Sequence, residues 1–312
     1  PLRPSMIRTA FCNDLNRMDR TRQSYIYAAL SGLFWATVPT AFKICLGELP
    51  IIPMLTIASV TSLTILFILL LLTGKMNLLL ECTVNDLAHS AILGLINPFL
   101  YYLILFRAYQ LLPAQVAQPL NMIWPIILVF LSVPLLKQKV KAKSYLALLI
   151  SFTGVYLVSS QGAPLRPGHS DTGGVLLAMG SSVFWALYFI LNVKNRKDET
   201  VKLFLNFFFG AIYLITVLVI TRQWSGDFSA KGIISAIYIG IFEMGITFWF
   251  WLKALKLATT TDKVSGLAYI SPFLSLVFVH LIIHEPIYYT TLAGLLLIIS
   301  GIFVQNRNFR KG

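Results

Sequence analysis

Apolar runs long enough to cross a bilayer follow one another almost without interruption along this chain, and that succession limits its fold more than any motif does. A hydrocarbon layer about 30 Å thick takes about 20 helical residues at about 1.5 Å of rise each. Ten such runs can be marked, at residues 25–46, 51–73, 88–109, 114–135, 143–159, 173–193, 200–222, 231–255, 260–282 and 289–305. The breaks between them are short and rich in turn-forming residues, among them "GELP", "LLPAQ", "GAPLRPGHSDTG" and "SGDFSAKG". With 57% hydrophobic and 12% charged residues, the chain has half the charge of an average soluble domain, which carries about a quarter. The expected class is an all-α membrane protein of ten transmembrane helices.

The first 24 residues are polar and basic, without the apolar core of a cleavable signal peptide, and Met6 or Met18 are candidate starts. The net charge of +13 invites a nucleic-acid reading, so the placement of the basic residues decides. If the N-terminus is cytoplasmic, the cytoplasmic segments hold every Lys and Arg except Arg107, Arg166, Arg222 and Lys231 on the other side and Lys43 inside the first run. That is the positive-inside pattern, with both termini in the cytoplasm. A nucleic-acid footprint would instead gather the charge into one patch.

Phe34-Trp35-Ala36 in the first run returns as Phe184-Trp185-Ala186 in the sixth, five runs later. "GLIN" at Gly94 to Asn97 matches "GIFE" at Gly240 to Glu243, and Arg107-Ala108 matches Lys253-Ala254. With one inserted residue, Pro125 matches Pro272 and Gly154 matches Gly301. A repeat unit with an odd number of spans is inverted relative to its copy, the architecture of many secondary transporters, whose substrate sites lie near the midplane between the halves. The expected organisation is therefore a cytoplasmic segment at 1–24 and two inverted five-helix repeats at 25–160 and 173–306.

The helix count, the paired Trp, the Pro residues of the fourth and ninth runs and the closing stretch "HEPIYYTTLAGLLLIISGIFV" resemble the drug/metabolite transporter superfamily, in particular its EamA-like members. Within that likeness the first half departs from the second: Gln138 stands opposite Glu285, and Ala147 opposite Gly294. "NMIWP", Asn121 to Pro125, resembles the aromatic amino-acid exporter branch. The resemblance implies export of small organic metabolites such as amino acids or related compounds.

Candidate substrate-binding residues follow from depth and residue type. Glu243 lies near the middle of its run, where a carboxylate must face a cavity, find a partner or take up a proton. It is the candidate for proton coupling, against the plainer reading of a packing residue that hydrogen-bonds between helices. Asn97 lies at the matching depth. Trp35, Trp124 and Trp185 sit away from the interface that membrane tryptophans favour, and Tyr188 shares a helix face with Trp185. Pro125 frees a carbonyl one turn earlier, near Asn121, for a ligand or water. Tyr101 completes an aromatic lining suited to planar or amphipathic solutes and, through cation–π contact, to amines. For each aromatic the competing reading is a packing or lipid-facing ring.

Lys43, near the outer end of the first run, is expected to snorkel to the headgroups, with a turn inward toward a substrate carboxylate as the alternative. His280, His284 and Glu285 lack the order and setting of a metal motif, and Cys12, Cys45 and Cys82 are scattered. Neither metal nor cofactor is expected, and no phosphate-cradling loop points to an ATPase. The expectation is a gradient-driven transporter in the cell membrane, not an enzyme, with a small-molecule substrate, the lipid bilayer as surroundings and no nucleic-acid partner. Competing readings are a facilitative carrier or lipid-handling protein of the same fold and, more remotely, an intramembrane enzyme, which would need a convergent catalytic constellation.

Overall fold

The computed structural model describes residues 4–137, 142–164, 170–194, 197–224, 226–257 and 270–306, and every regular element among them is helical. Among the described residues, seven helices are long and apolar enough to cross a membrane: Arg20–Glu48, Ile51–Leu72, Val84–Leu111, Ala114–Leu135, Thr172–Asn192, Glu199–Thr221 and Ala230–Trp251. Three shorter apolar helices follow the same pattern, at Lys143–Ser159, Ser271–Ile283 and Tyr289–Val304. The expected run at 260–282 is described only from Ile270 onward, and Gln138, Arg166, Lys263 and Arg307 also lie outside the described residues.

In chain order the helices are α1 (Pro4–Glu48), α2 (Ile51–Leu72), α3 (Met76–Leu80), α4 (Val84–Gly94), α5 (Tyr101–Leu111), α6 (Ala114–Asn121) and α7 (Trp124–Leu136). There follow α8 (Ala142–Ser159), α9 (Thr172–Lys194), α10 (Glu199–Thr221), α11 (Ala230–Ile239), α12 (Ile246–Leu257), α13 (Ser271–Ile283) and α14 (Tyr289–Asn306). Helix α1 begins at Pro4, so the backbone of the basic N-terminal stretch is helical and continuous with the first apolar helix.

Two spans are interrupted at matching places. Between α4 and α5 the chain kinks over Leu95–Leu100, with Asn97 extended at φ −147°, ψ 121°. Pro98 has no N–H to complete an α-helical ladder, and the kink falls beside it. Between α11 and α12 a π segment, Gly240–Gly245, carries Glu243, and the Thr247 hydroxyl donates to the Phe242 carbonyl within it. The fourth span also breaks, at Met122 and Ile123, before α7 restarts with Pro125 in its first turn. Helix α13 starts in the same way, with Pro272 in its first turn.

Packing exchanges elements between the halves. Helix α1 lies against α11, α12 and α13 of the second half, whereas α9 lies against α5, α6 and α7 of the first. Helix α2 joins the α1 group through the Gly240–Gly245 segment, and α10 joins the α9 group through α4 and the Leu95–Leu100 segment. Two groups result, with α2 and α10 packed together across the seam. Helices α8 and α14 form a separate close pair. Lipid offers apolar surfaces no less than a neighbouring helix does, so such pairs depend on close backbone approach. A Cβ built on Gly154 would lie 2.5 Å from the Gly294 carbonyl oxygen, and one on Gly294 would lie 2.5 Å from that of Gly154. Gly301 meets the Ala147 carbonyl of the first half in the same way, at 2.7 Å.

Lys43 does not snorkel outward. Its ammonium donates to the carbonyls of Tyr109 and Leu112 at 2.9 and 3.0 Å, closing off the end of α5. Carbonyls at a helix C-terminus have no partners within the helix, so a cation on the facing helix satisfies them better than the headgroup region would.

Candidate functional site

At the seam between the two groups, Tyr102 of α5 donates from its hydroxyl to Glu243 Oε1 at 3.0 Å. Among the described residues, no Lys, Arg or His lies within ion-pair distance of Glu243. The widened turn at Gly240–Gly245 carries the carboxylate toward α5. The ring of Tyr102 meets that of Tyr101 at 4.6 Å, and Tyr101 donates to Asn121 Oδ1 at 3.3 Å.

Asn121 is held from three directions. Its amide donates to Ser181 Oγ at 2.8 Å, and its backbone carbonyl accepts from Ser182 Oγ at 2.9 Å. The carbonyl expected to be open to a ligand is therefore occupied by α9. A proline break frees a carbonyl that a hydroxyl of a neighbouring helix can satisfy, and here Ser182 supplies it while Ser181 takes the side-chain amide.

Trp185 is the hub of the aromatic lining. It lies 4.8 Å from Tyr101, 6.0 Å from Tyr188, 5.3 Å from Phe189 and 5.5 Å from Phe248, centroid to centroid. Trp124 stacks on Phe189 at 5.2 Å with planes 10° apart, and Trp35 reaches the hub through Phe248, at 6.3 Å. Phe248 belongs to the α1 group and Trp185 to the α9 group, so this contact also crosses the seam.

Asn97 stands beside the Tyr188 hydroxyl, which accepts from Asn206 Nδ2 at 3.1 Å and faces Asn192 as well. Asn97 is fully buried, and neither atom of its amide has a hydrogen-bond partner among the described residues. The structure thus brings all eight candidates into one connected set: Glu243 by a hydrogen bond to Tyr102, whose ring meets Tyr101, Asn121 by a hydrogen bond from Tyr101, the three tryptophans and Tyr188 by ring contacts, and Asn97 by proximity to Tyr188.

Sequence reasoning did not single out Phe248, Phe189, Ser181, Ser182 or Asn206. The Asn206 signal was available, an amide inside an apolar run. Phe189 and Phe248 carried none that separates them from lipid-facing phenylalanines such as Phe208 and Phe303, both exposed. His280 and His284 join no metal cluster: among the described residues no group of three His, Cys, Asp or Glu is placed to hold an ion, and His280 Nδ1 instead lies 3.0 Å from the Glu285 carbonyl.

The sequence model of the EamA-like transporter family matches residues 22–160 and again 172–307. The chain belongs to the EamA-like transporter family. This member is similar to an uncharacterized transporter, YvbV, of Bacillus subtilis, 28% identical over 68% of this chain and 70% of that one. It is also similar to an uncharacterized transporter of Clostridium kluyveri, 26% identical over 74% of this chain and 76% of that one. Protein PecM of Dickeya dadantii is 23% identical over 68% of this chain and 71% of its own. A solved crystal structure superposes with a TM-score of 0.65 at 19% identity, covering 91% of this chain and 96% of its own, which places both in one fold. This EamA-like chain is accordingly a multi-pass membrane transporter, with the lipid bilayer as its surroundings and a small molecule as its cargo.

Proposed function

We propose that this protein is a secondary transporter that exports small organic metabolites, such as amino acids or related compounds, across the cytoplasmic membrane and couples their movement to protons through Glu243. The carrying observation is the Tyr102–Glu243 hydrogen bond, which spans the seam between helix groups at the edge of an aromatic lining and holds a carboxylate with no cationic partner among the described residues.

Ten membrane helices in two inverted five-helix repeats, over 25–160 and 173–306, are the proposed frame. Three observations support it: the family model fits the chain twice, in the same two regions, helix interruptions occupy matching positions, and Pro125 and Pro272 open matching helices. The placement of basic residues supports cytoplasmic termini and speaks against a nucleic-acid partner.

In this reading the substrate lies at the seam, in contact with Trp35, Asn97, Tyr101, Asn121, Trp124, Trp185, Tyr188 and Glu243. Planar or amphipathic solutes and amines suit the rings. The two groups rock about the α8–α14 pair, exposing the seam to one side and then the other. A carboxylate that is neutral when occluded and charged when wet links that motion to proton movement. Reconstitution into liposomes tests the proposal: a panel of amino acids and related metabolites is loaded, and accumulation is followed with and without an imposed pH gradient. Accumulation against a concentration difference only when the gradient is present supports it. Equal counter-transport without the gradient favours a facilitative carrier of the same fold.

A further inference from the structure

One group of residues lies outside the aromatic site and ties the two helix groups together at a single end. Glu285, between α13 and α14, accepts the backbone N–H groups of Ala114 and Gln115 at 3.1 and 3.3 Å, the first turn of α6. Lys43 of α1 holds the carbonyls of Tyr109 and Leu112 at the last turn of α5. The two charged side chains are 4.0 Å apart and only 16% and 25% exposed, Glu285 the less so. Gln115 answers in the other direction. Its amide donates to the Pro286 carbonyl, and its Oε1 accepts from the Tyr288 N–H at 3.3 Å and the Thr291 hydroxyl at 3.4 Å.

Both charges are thus used on the backbone of one turn, 109–115. A carboxylate on free N–H groups at a helix start and an ammonium on free carbonyls at a helix end are each strengthened by the local dipole. The turn belongs to the α9 group through α5 and α6. Lys43 lies on α1, in the other group, and Glu285 directly follows α13 of that group. A packed scaffold inside one group would need no such bonds across the seam. Bonds of this kind are remade when groups rock, since each charge has water or a headgroup as an alternative partner.

We propose that Lys43 and Glu285 are gating residues, which close one end of the transport path by clamping the α5–α6 turn across the seam. The inference rests on the secondary-transport reading above, and the side on which the gate lies rests on cytoplasmic termini, which put this end outside.

The test uses a single cysteine one turn from Lys43. Thr40 is 3% exposed and its hydroxyl has no partner among the described residues, so Thr40→Cys is a mild change. In full-length protein with Cys12, Cys45 and Cys82 replaced by alanine, a membrane-impermeant thiol reagent is added to sealed vesicles of either orientation. Glu285→Gln and Lys43→Met are each expected to raise the labelling rate from the outer face about tenfold. The double variant is expected to add little to the stronger single, because both loosen one closure. Unchanged labelling in both singles overturns the gate. Faster labelling from both faces together with lowered thermal stability also overturns it, since that reports general loosening. Faster labelling from the cytoplasmic face alone keeps the gate and overturns the proposed topology.

Discussion

The hydroxyl of Tyr102 and the carboxylate of Glu243, 141 residues apart in the chain, meet at 3.0 Å where the two helix groups face each other. Each residue is delivered by an interrupted span, Tyr102 beyond the kink at Leu95–Leu100 and Glu243 within the π segment at Gly240–Gly245, and each span belongs to a different half. Hydrogen bonds to charged groups contribute about 1.5–3 kcal/mol, enough to make this contact responsive to substrate or proton. With Tyr102→Phe, uptake at limiting substrate is expected to fall by roughly tenfold while the protein still inserts and purifies as a folded species.

Glu243→Gln separates coupling from packing. Gradient-driven accumulation is expected to vanish while substrate exchange persists, because Gln keeps the hydrogen bond but carries no proton across. Accumulation at the parent's rate and with the parent's pH dependence would remove Glu243 from the coupling mechanism.

The aromatic hub predicts a graded series. Trp185 touches four rings, and Trp124 and Trp35 each touch one of these, so Trp185→Ala is expected to weaken substrate binding more than either Trp124→Ala or Trp35→Ala. Equilibrium binding on purified protein reads the order. Normal transport by both Trp124→Ala and Trp185→Ala would dissociate the lining from the substrate.

Stability depends on the α8–α14 pair at two residues without side chains. Gly154→Val or Gly294→Val forces a side chain against a carbonyl oxygen and is expected to cost about 1–3 kcal/mol, read as a lowered midpoint of thermal unfolding in detergent. Gly180, with nothing within 4 Å of a built Cβ, is the control: Gly180→Ala should leave the midpoint unchanged or raised.

Outside the membrane-spanning segments, Asp198 caps α10 and bonds Lys75 Nζ at 2.7 Å. Burial alone would raise its pKa, but the Lys75 ammonium and the Thr200 N–H outweigh burial and hold the carboxyl below the usual range. A lowered folded pKa contributes stability that is present at neutral pH and is lost as pH falls through that pKa. Acidification from neutrality is therefore expected to destabilise the parent more than Asp198→Asn, by about 1 kcal/mol or less because water reaches both partners. Thermal unfolding of both proteins across that range checks the sign.

Much of this architecture can be read from residues alone, and the limits have physical causes. Apolar run length marks the helices because each must satisfy its backbone internally, and Pro125 marks the break in the fourth span. The Trp185–Tyr188 pairing was legible because helical spacing puts residues three apart on one face. Depth was legible for Lys43, but rotation was not. A run that is apolar on every face carries no moment to tell lipid from neighbour, so the inward turn of Lys43 onto the end of α5 had no signature. The same uniformity hid Phe248 and Phe189. Spacing along one helix cannot find Tyr102 as a partner for Glu243, since the two lie on different spans and the π segment at Gly240–Gly245 sets where the carboxylate stands.

That interruption has a consequence for how such a chain changes over time. A π turn accommodates one residue more than the α-helical path over the same length, so losing one residue within Gly240–Gly245 lets the turn close to α-helical pitch and leaves the flanking faces where they were. The same loss inside α11 or α12 has no slack to draw on: it turns everything beyond by about 100°. Within α12 ahead of Phe248 it would swing that ring away from Trp185. Composition and hydropathy of the run barely alter in either case. The widened turn is thus a stretch at which a single codon gained or lost can be absorbed without re-aiming the recognition surface.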